Sequence, residues 1–138
     1  LKQREIDAGY ASIDHYSSFS ERVAALKRSI LNSLIQLKED GKTIVGYGAP
    51  AKGNTLLNYC GIGTDFIDYT VDKNPHKQGH YLPGSSIPVE STDKVQKTKP
   101  DYLFILPWNI KNEIMEQMAF IKEWGGKFIV PIPEVAIL

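Results

Sequence analysis

The stretch Gly46–Gly53, "GYGAPAKG", follows the apolar run "KTIVG" and has the residue types of a phosphate-holding turn between a strand and a helix. Gly46, Gly48 and Ala51 satisfy the G-x-G-x-x-G/A spacing of dinucleotide sites. In that fingerprint Gly46 allows the tight turn, Gly48 a close backbone approach and Ala51 close helix–strand packing. Pro50 is expected to open the helix, where its missing N–H costs nothing. Exposed N–H groups at such a helix start favour an anion. Asp72 stands roughly where the fingerprint needs a ribose-binding carboxylate. The alternative is a structural turn whose glycines serve geometry alone. A P-loop is rejected: "GAPAKGNT" has its glycine spacing, but Asn54 occupies the place of the phosphate-gripping lysine. Lys52 lies two residues early and faces either an anion or solvent.

Asp72, Asn74 and Pro75 form a "D-x-N-P" turn, in which Asp and Asn readily bond their own backbone. His76 and His80 are four apart, yet Pro75 and Gly79 make the segment a loop and no third ligand accompanies them, so exposed histidines are expected. Trp108 either stacks on a flat ring or closes the edge of the core, and Asn109 suits the N-cap of the last helix. Cys60, in the apolar-flanked "NYCGI", reads as a small buried hydrophobe. No Ser–His–Asp set, paired catalytic carboxylates or activated cysteine can be assembled. The residues describe a binding crevice without catalytic machinery.

A chain of 138 residues suits one domain with a core of its own. Its 16 basic side chains balance 16 acidic ones, so no strong field steers it towards nucleic acid or an anionic membrane. The single cysteine excludes an internal disulfide and a cysteine-rich zinc site. No apolar run reaches a membrane span and no signal-peptide pattern is present, which makes the cytoplasm the expected setting. A chain opening on Leu1 rather than Met is expected to be part of a longer polypeptide.

Residues 1–17 have no clear period and read as a linker or irregular lead-in, leaving 18–138 as one domain. Ser18 and Glu21 have capping-box spacing. Behind them Phe19, Val23, Leu26, Ile30, Leu34 and Leu37 recur on one helical face. Gly41 is placed to end that helix in the left-handed conformation. Strands are expected at "KTIVGYG", "DFIDYTVD", "IPVE", "DYLFILP" and "KFIVPIP". Helices fall between them: one through "AKGNTLLNYC", a short one capped by Ser91 or Thr92, and one from about Asn109 to Trp124. This alternation predicts an α/β, Rossmann-like, doubly wound and mainly parallel five-stranded sheet of order 3-2-1-4-5, with the long N-terminal helix on one face. Ligands bind such sheets beyond the carboxyl ends of the strands, where the order reverses. "GYGAPAKGN", "VDKNP" and "PWN" should therefore meet at one crevice.

The succession "GYGAPAKGNTLLNYCGI", "YTVDKNPHKQGHYLPGSSIPV", "PDYLFILPWNIKNEI" and "GGKFIVPIPE" resembles the C-terminal domain of S-adenosylmethionine-dependent C-methyltransferases. The likeness covers nearly the whole chain, with several motifs in one order. Members that act on nucleotide-linked deoxysugars have three parts: an N-terminal part binding structural zinc, a middle domain binding the methyl donor, and a Rossmann-like C-terminal domain. The resemblance implies that this chain is the third part and that S-adenosylmethionine is bound by a domain outside it, with no cofactor expected here. It implies an acceptor-binding surface of Gly46, Tyr47, Gly48, Ala49, Lys52, Gly53, Asn54, Asp72, Asn74, Pro75, Lys77, Gln78, Gly79, Trp108 and Asn109. The partners implied are the upstream zinc-binding and donor-binding domains and a small-molecule acceptor. Two other readings stay open, an autonomous NAD(P)- or nucleotide-binding module and a purely structural docking domain.

Overall fold

The computed structural model describes residues 2–138, with side chains from Phe19 onward. Helix α1 spans Lys2–Glu39 and so runs through the segment expected to be an irregular lead-in. No proline interrupts Lys2–Ser17, and its Lys, Gln, Arg, Glu and Ala are good helix formers, which a search for apolar period overlooks. The capping box at Ser18 and Glu21 is corrected accordingly: Ser18 lies inside the helix, and Glu21 pairs with Arg28 at 3.1 Å. The other end is as expected. Gly41 adopts φ 77°, Gly41 N–H bonds Lys38 O and Lys42 N–H bonds Leu37 O, the paired bonds of a Schellman cap.

The sheet has the order β3-β2-β1-β4-β5-β6. Strands β1 (Ile44–Tyr47), β2 (Thr70–Val71), β3 (Val89–Glu90), β4 (Tyr102–Ile105) and β5 (Lys127–Val130) are parallel, in the expected 3-2-1-4-5 order. A sixth strand, β6 (Ala136–Ile137), returns antiparallel to β5 through the proline-containing turn after Val130. That strand extends the five-stranded expectation at one edge.

Period-2 alternation distributes the strand side chains between two layers. Ile44 and Phe104 face α1 and α2 (Ala51–Cys60), packing with Ile30, Leu34, Leu37 and Leu57. Val45, Leu103 and Ile105 face α3 (Asp93–Thr98) and α4 (Lys111–Gln117), packing with Val95, Ile114 and Phe128. Each such buried side chain contributes about 1.5–3 kcal/mol relative to exposure. Both faces are thus covered from within the chain, and the domain has a closed core of its own. Cys60 belongs to the first layer, 4% exposed, and burial pushes its thiol pKa up.

Two helical expectations change. The N-terminal half of the α1 face leaves the core: Leu26 packs only at its margin and Phe19 is 56% exposed. The helix expected from Asn109 to Trp124 is divided into a 3-10 turn (Trp108–Ile110), α4, and a 3-10 stretch (Ala119–Trp124). Ile114, Met118 and Ile121 are still buried, so the apolar face survives the tightening. Trp124 Nε1–H bonds Pro100 O at 2.8 Å and anchors the last turn. The expected capping side chains do not act: α3 is capped at Thr92, not Ser91, and without a side-chain bond, and Asn109 lies in the 3-10 turn, one residue before Ile110, the cap position of α4. Among the described residues no helix is long and apolar enough to cross a membrane.

Candidate functional site

β1 delivers Tyr47 and Gly48 to the carboxyl edge of the sheet, where Ala49 and Pro50 turn the chain into α2. The glycines are required by the protein's own packing. Gly48 has φ 92°, and a Cβ there would meet Pro107 Cδ at 2.8 Å. A Cβ on Gly53 would lie 2.7 Å from Leu106 Cβ, so Gly53 lets α2 approach the end of β4. The fingerprint assigned that packing role to Ala51, which is exposed. Gly46, inside β1, sits against Thr70, whose Oγ1 a Cβ would meet at 2.8 Å. The tight turn falls at Gly48, and Pro50 occupies the cap position, accepting the Asn54 N–H at 3.0 Å.

The polar groups of the loop are engaged in the same way. Gly48 N–H bonds Val71 O at 2.6 Å, and Gly48 O accepts the Thr70 hydroxyl at 2.6 Å. Ala49 N–H bonds Asp72 Oδ2 at 3.0 Å, and Ala49 O accepts Lys77 Nζ at 3.2 Å. The other oxygen of Asp72 accepts the Asn74 N–H at 2.9 Å. Asp72 therefore forms the expected turn and also ties the β2 loop to the glycine loop. Asn74 Oδ1 accepts the His76 N–H, and Gln78 Nε2–H bonds Asp72 O at 2.8 Å, which holds the rest of "DKNPHKQG" in shape.

A cavity of about 350 Å³ opens where β1, β2 and β4 end. Tyr47, Gly48, Ala49 and Pro50 form one wall, and Asp72, Lys73 and Lys77 form the second. The third comes from Pro107 and the helical face Ile110, Glu113, Ile114 and Gln117. This is the topological switch point, and the three segments expected to converge do so. Its charges are mixed, with Asp72 and Glu113 against Lys73 and Lys77. Desolvation, and secondarily the Asp72 carboxylate, hold the Tyr47 pKa above its ordinary value of 10.0, so the phenol stays protonated at neutral pH. Its hydroxyl is 3.5 Å from Gln117 Oε1, to which it donates.

Of the candidate residues, Tyr47, Gly48, Ala49, Asp72 and Lys77 line this cavity. Gly46, Gly53 and Asn74 do not border it: Gly46 packs on Thr70, Gly53 on Leu106, and Asn74 is exposed on the β2–β3 loop. Lys52 is exposed and does not border it. Asn54 lies in the first half of α2, its Oδ1 buried without a partner. Trp108 is partly buried on the edge of the second core layer and does not border the cavity, and Asn109 is exposed. His76 and His80 are exposed on the β2–β3 loop. The sequence reading missed Lys73, Glu113 and Gln117. The helical ones carry a signal: Ile110, Glu113, Ile114 and Gln117 have i, i+3, i+4, i+7 spacing and share one face.

The fold and this site define an α/β domain with a polar crevice at the switch point. The chain belongs to the C-methyltransferase C-terminal domain family, whose profile matches residues 1–133. It is 41% identical over 137 residues to the C-methyltransferase NovU of Streptomyces niveus, a match covering 97% of this chain and 32% of that protein. The chain thus spans about a third of the length of that curated relative.

Proposed function

We propose that this chain is the acceptor-binding, cleft-completing part of an S-adenosylmethionine-dependent C-methyltransferase, with a nucleotide-linked sugar or similar acceptor held in the crevice between Tyr47, Lys77 and Glu113. The observation that carries the reading is the meeting of three separate segments at one polar cavity in a chain of this family. Glu113 and Gln117 offer acceptors and a donor for hydroxyl groups, while Lys73 and Lys77 offer cations for phosphate. The rest of the relative's length leaves room for the zinc-binding and donor-binding domains that would complete the enzyme in the cytoplasm.

S-adenosylmethionine, which supplies the methyl group, does not fit this chain's own loop. The carboxylate that would bind a ribose is turned onto the Ala49 and Asn74 N–H groups, and Gly48 N–H is held by Val71. The same facts weigh against the NAD(P) reading, since a Rossmann-like fold does not entail a dinucleotide. Catalysis is therefore assigned to the domains beyond this one. Calorimetry with a nucleoside diphosphate-sugar and with NAD tests the reading. Heat from the sugar nucleotide alone is expected; heat from NAD alone, or methyl transfer by the isolated chain, would overturn it.

A further inference from the structure

The β2–β3 loop gathers positive charge in a chain whose formal charges cancel. Lys73, His76, Lys77 and His80 follow one another there, and no aspartate or glutamate occurs between Lys73 and Glu90. His76, Lys77 and His80 border one hollow of about 230 Å³, together with Tyr81. Leu82 and Val89, both buried, and Ala49 supply its apolar lining. The hollow adjoins the crevice through Ala49 and Lys77, whereas His76, His80 and Tyr81 do not border the crevice.

The fold holds these residues in place. Val89 N–H bonds His80 O and Gly79 N–H bonds Val89 O, each at 2.8 Å, which fastens the end of the loop to β3. His76 N–H bonds Asn74 Oδ1 at 3.0 Å, and Lys77 Nζ donates to Ala49 O at 3.2 Å.

Lys77 settles the sign of the ligand. Two neutral imidazoles could serve a metal cation, but an ammonium group in the same hollow repels one, and no carboxylate borders it. Asp72, on the adjoining loop, gives its oxygens to the Ala49 and Asn74 N–H groups. Among the described residues the ion pairs are Arg28–Glu21 and Lys94–Glu90, so neither involves His76, Lys77 or His80. Tyr81 settles the body that carries the charge. It is 68% exposed, the most exposed large hydrophobic side chain among the described residues, and offers a ring at the rim of the hollow. The volume falls below the roughly 300–1,000 Å³ that encloses a whole drug-sized ligand, so one end of a molecule fits.

We propose that this hollow is an anion site, separate from the acceptor crevice, for a carboxylate or phosphate monoester carried on an aromatic or apolar body. Imidazoles gain charge as pH falls from about 8 to about 5, whereas a lysine stays charged throughout. Binding therefore strengthens as the solution becomes more acidic.

Calorimetry and NMR of the chain with benzoate, acetate and phenyl phosphate test this assignment. Benzoate keeps one negative charge over the range used, so its pH dependence reports the protein's own groups. Its affinity should be about tenfold higher at about pH 5.5 than at about pH 8, about threefold for each exposed imidazolium. His76→Gln and His80→Gln should each remove about threefold of that rise, and the double variant all of it. Tyr81→Ala should weaken benzoate about threefold and acetate by less than about twofold. Both probes should shift the His76 and His80 ring signals, and the tighter of benzoate and phenyl phosphate identifies the oxyanion. Binding that ignores pH, a pH dependence that survives the double variant, shifts confined to Lys73 and Gln117, or no binding at either pH would overturn the proposal.

Discussion

The glycine loop after β1 and the helical face after β4 border the same crevice, yet they use their polar groups in opposite ways. The loop has the sequence of a ligand cradle, but Gly48 and Ala49 have their N–H and C=O groups engaged by Val71, Thr70, Asp72 and Lys77. The face of α4 has the sequence of an ordinary amphipathic helix, but Glu113 is exposed towards the cavity. The loop spends its polar groups on the fold, whereas Glu113 on the helix face stays exposed to the cavity. Under the proposed function the loop is the frame and the helix face the binding wall.

The sharpest way to break this distinction is to strain the frame. Gly48→Ala combines a residue with φ 92° and a Cβ 2.8 Å from Pro107 Cδ. It should destabilise the fold by about 2–4 kcal/mol, the sum of left-handed backbone strain and overpacking. Urea unfolding measures this, and a loss below about 0.5 kcal/mol, the range of an ordinary surface change, would show that the loop is free to move.

Asp72→Asn attacks the same frame more gently. The amide presents one acceptor where the carboxylate serves two backbone N–H groups, at 3.0 and 2.9 Å. Losing one charge-assisted bond should cost about 1.5–3 kcal/mol in the same unfolding assay. A substitution without effect would mean that the β2 loop and the glycine loop do not need their tie.

Much of this frame was legible beforehand. Strand order, the switch point and the Gly41 cap follow from apolar period and local turn chemistry, both of which are short-range. What was not legible depends on partners distant in sequence. Nothing near Gly48 announces Pro107, and nothing near Gly53 announces Leu106, so glycines serving close approach looked like glycines serving a ligand. β6 was hidden because the last strand was expected through "KFIVPIP", whereas it ends at Val130 and the chain turns back through the prolines at 131 and 133. Glu113 and Gln117 carry no local motif, and only the tertiary packing of α4 beside β1 turns them towards the cavity.

On the binding wall the expected pattern is inverted. Glu113→Gln keeps shape and leaves the core untouched, so stability should change by less than about 0.5 kcal/mol. Affinity for a sugar phosphate should fall about tenfold, the loss of roughly one charge-assisted hydrogen bond. Calorimetry and urea unfolding on the same preparation separate the two. Lost stability with retained affinity would place Glu113 in the frame instead.

The smallest effect should come from the residue that drew attention first as a cation. Lys52 lies in "APAKG" at the opening of α2, but it is exposed and does not border the cavity, whereas Lys73 lines it. Both lysines are surface cations of the same charge, so general attraction for an anion would be weakened equally by removing either. Contact inside the cavity would not, because an exposed charge away from the ligand is screened within about 8–10 Å at moderate salt. Lys52→Ala should therefore change nucleoside diphosphate affinity by less than about twofold, against about tenfold for Lys73→Ala, as a charge-assisted contact requires. Equal losses in the two variants would mean general attraction without contact, and a larger loss for Lys52→Ala would assign the anion to the start of α2 and return the glycine loop to the role its sequence suggested.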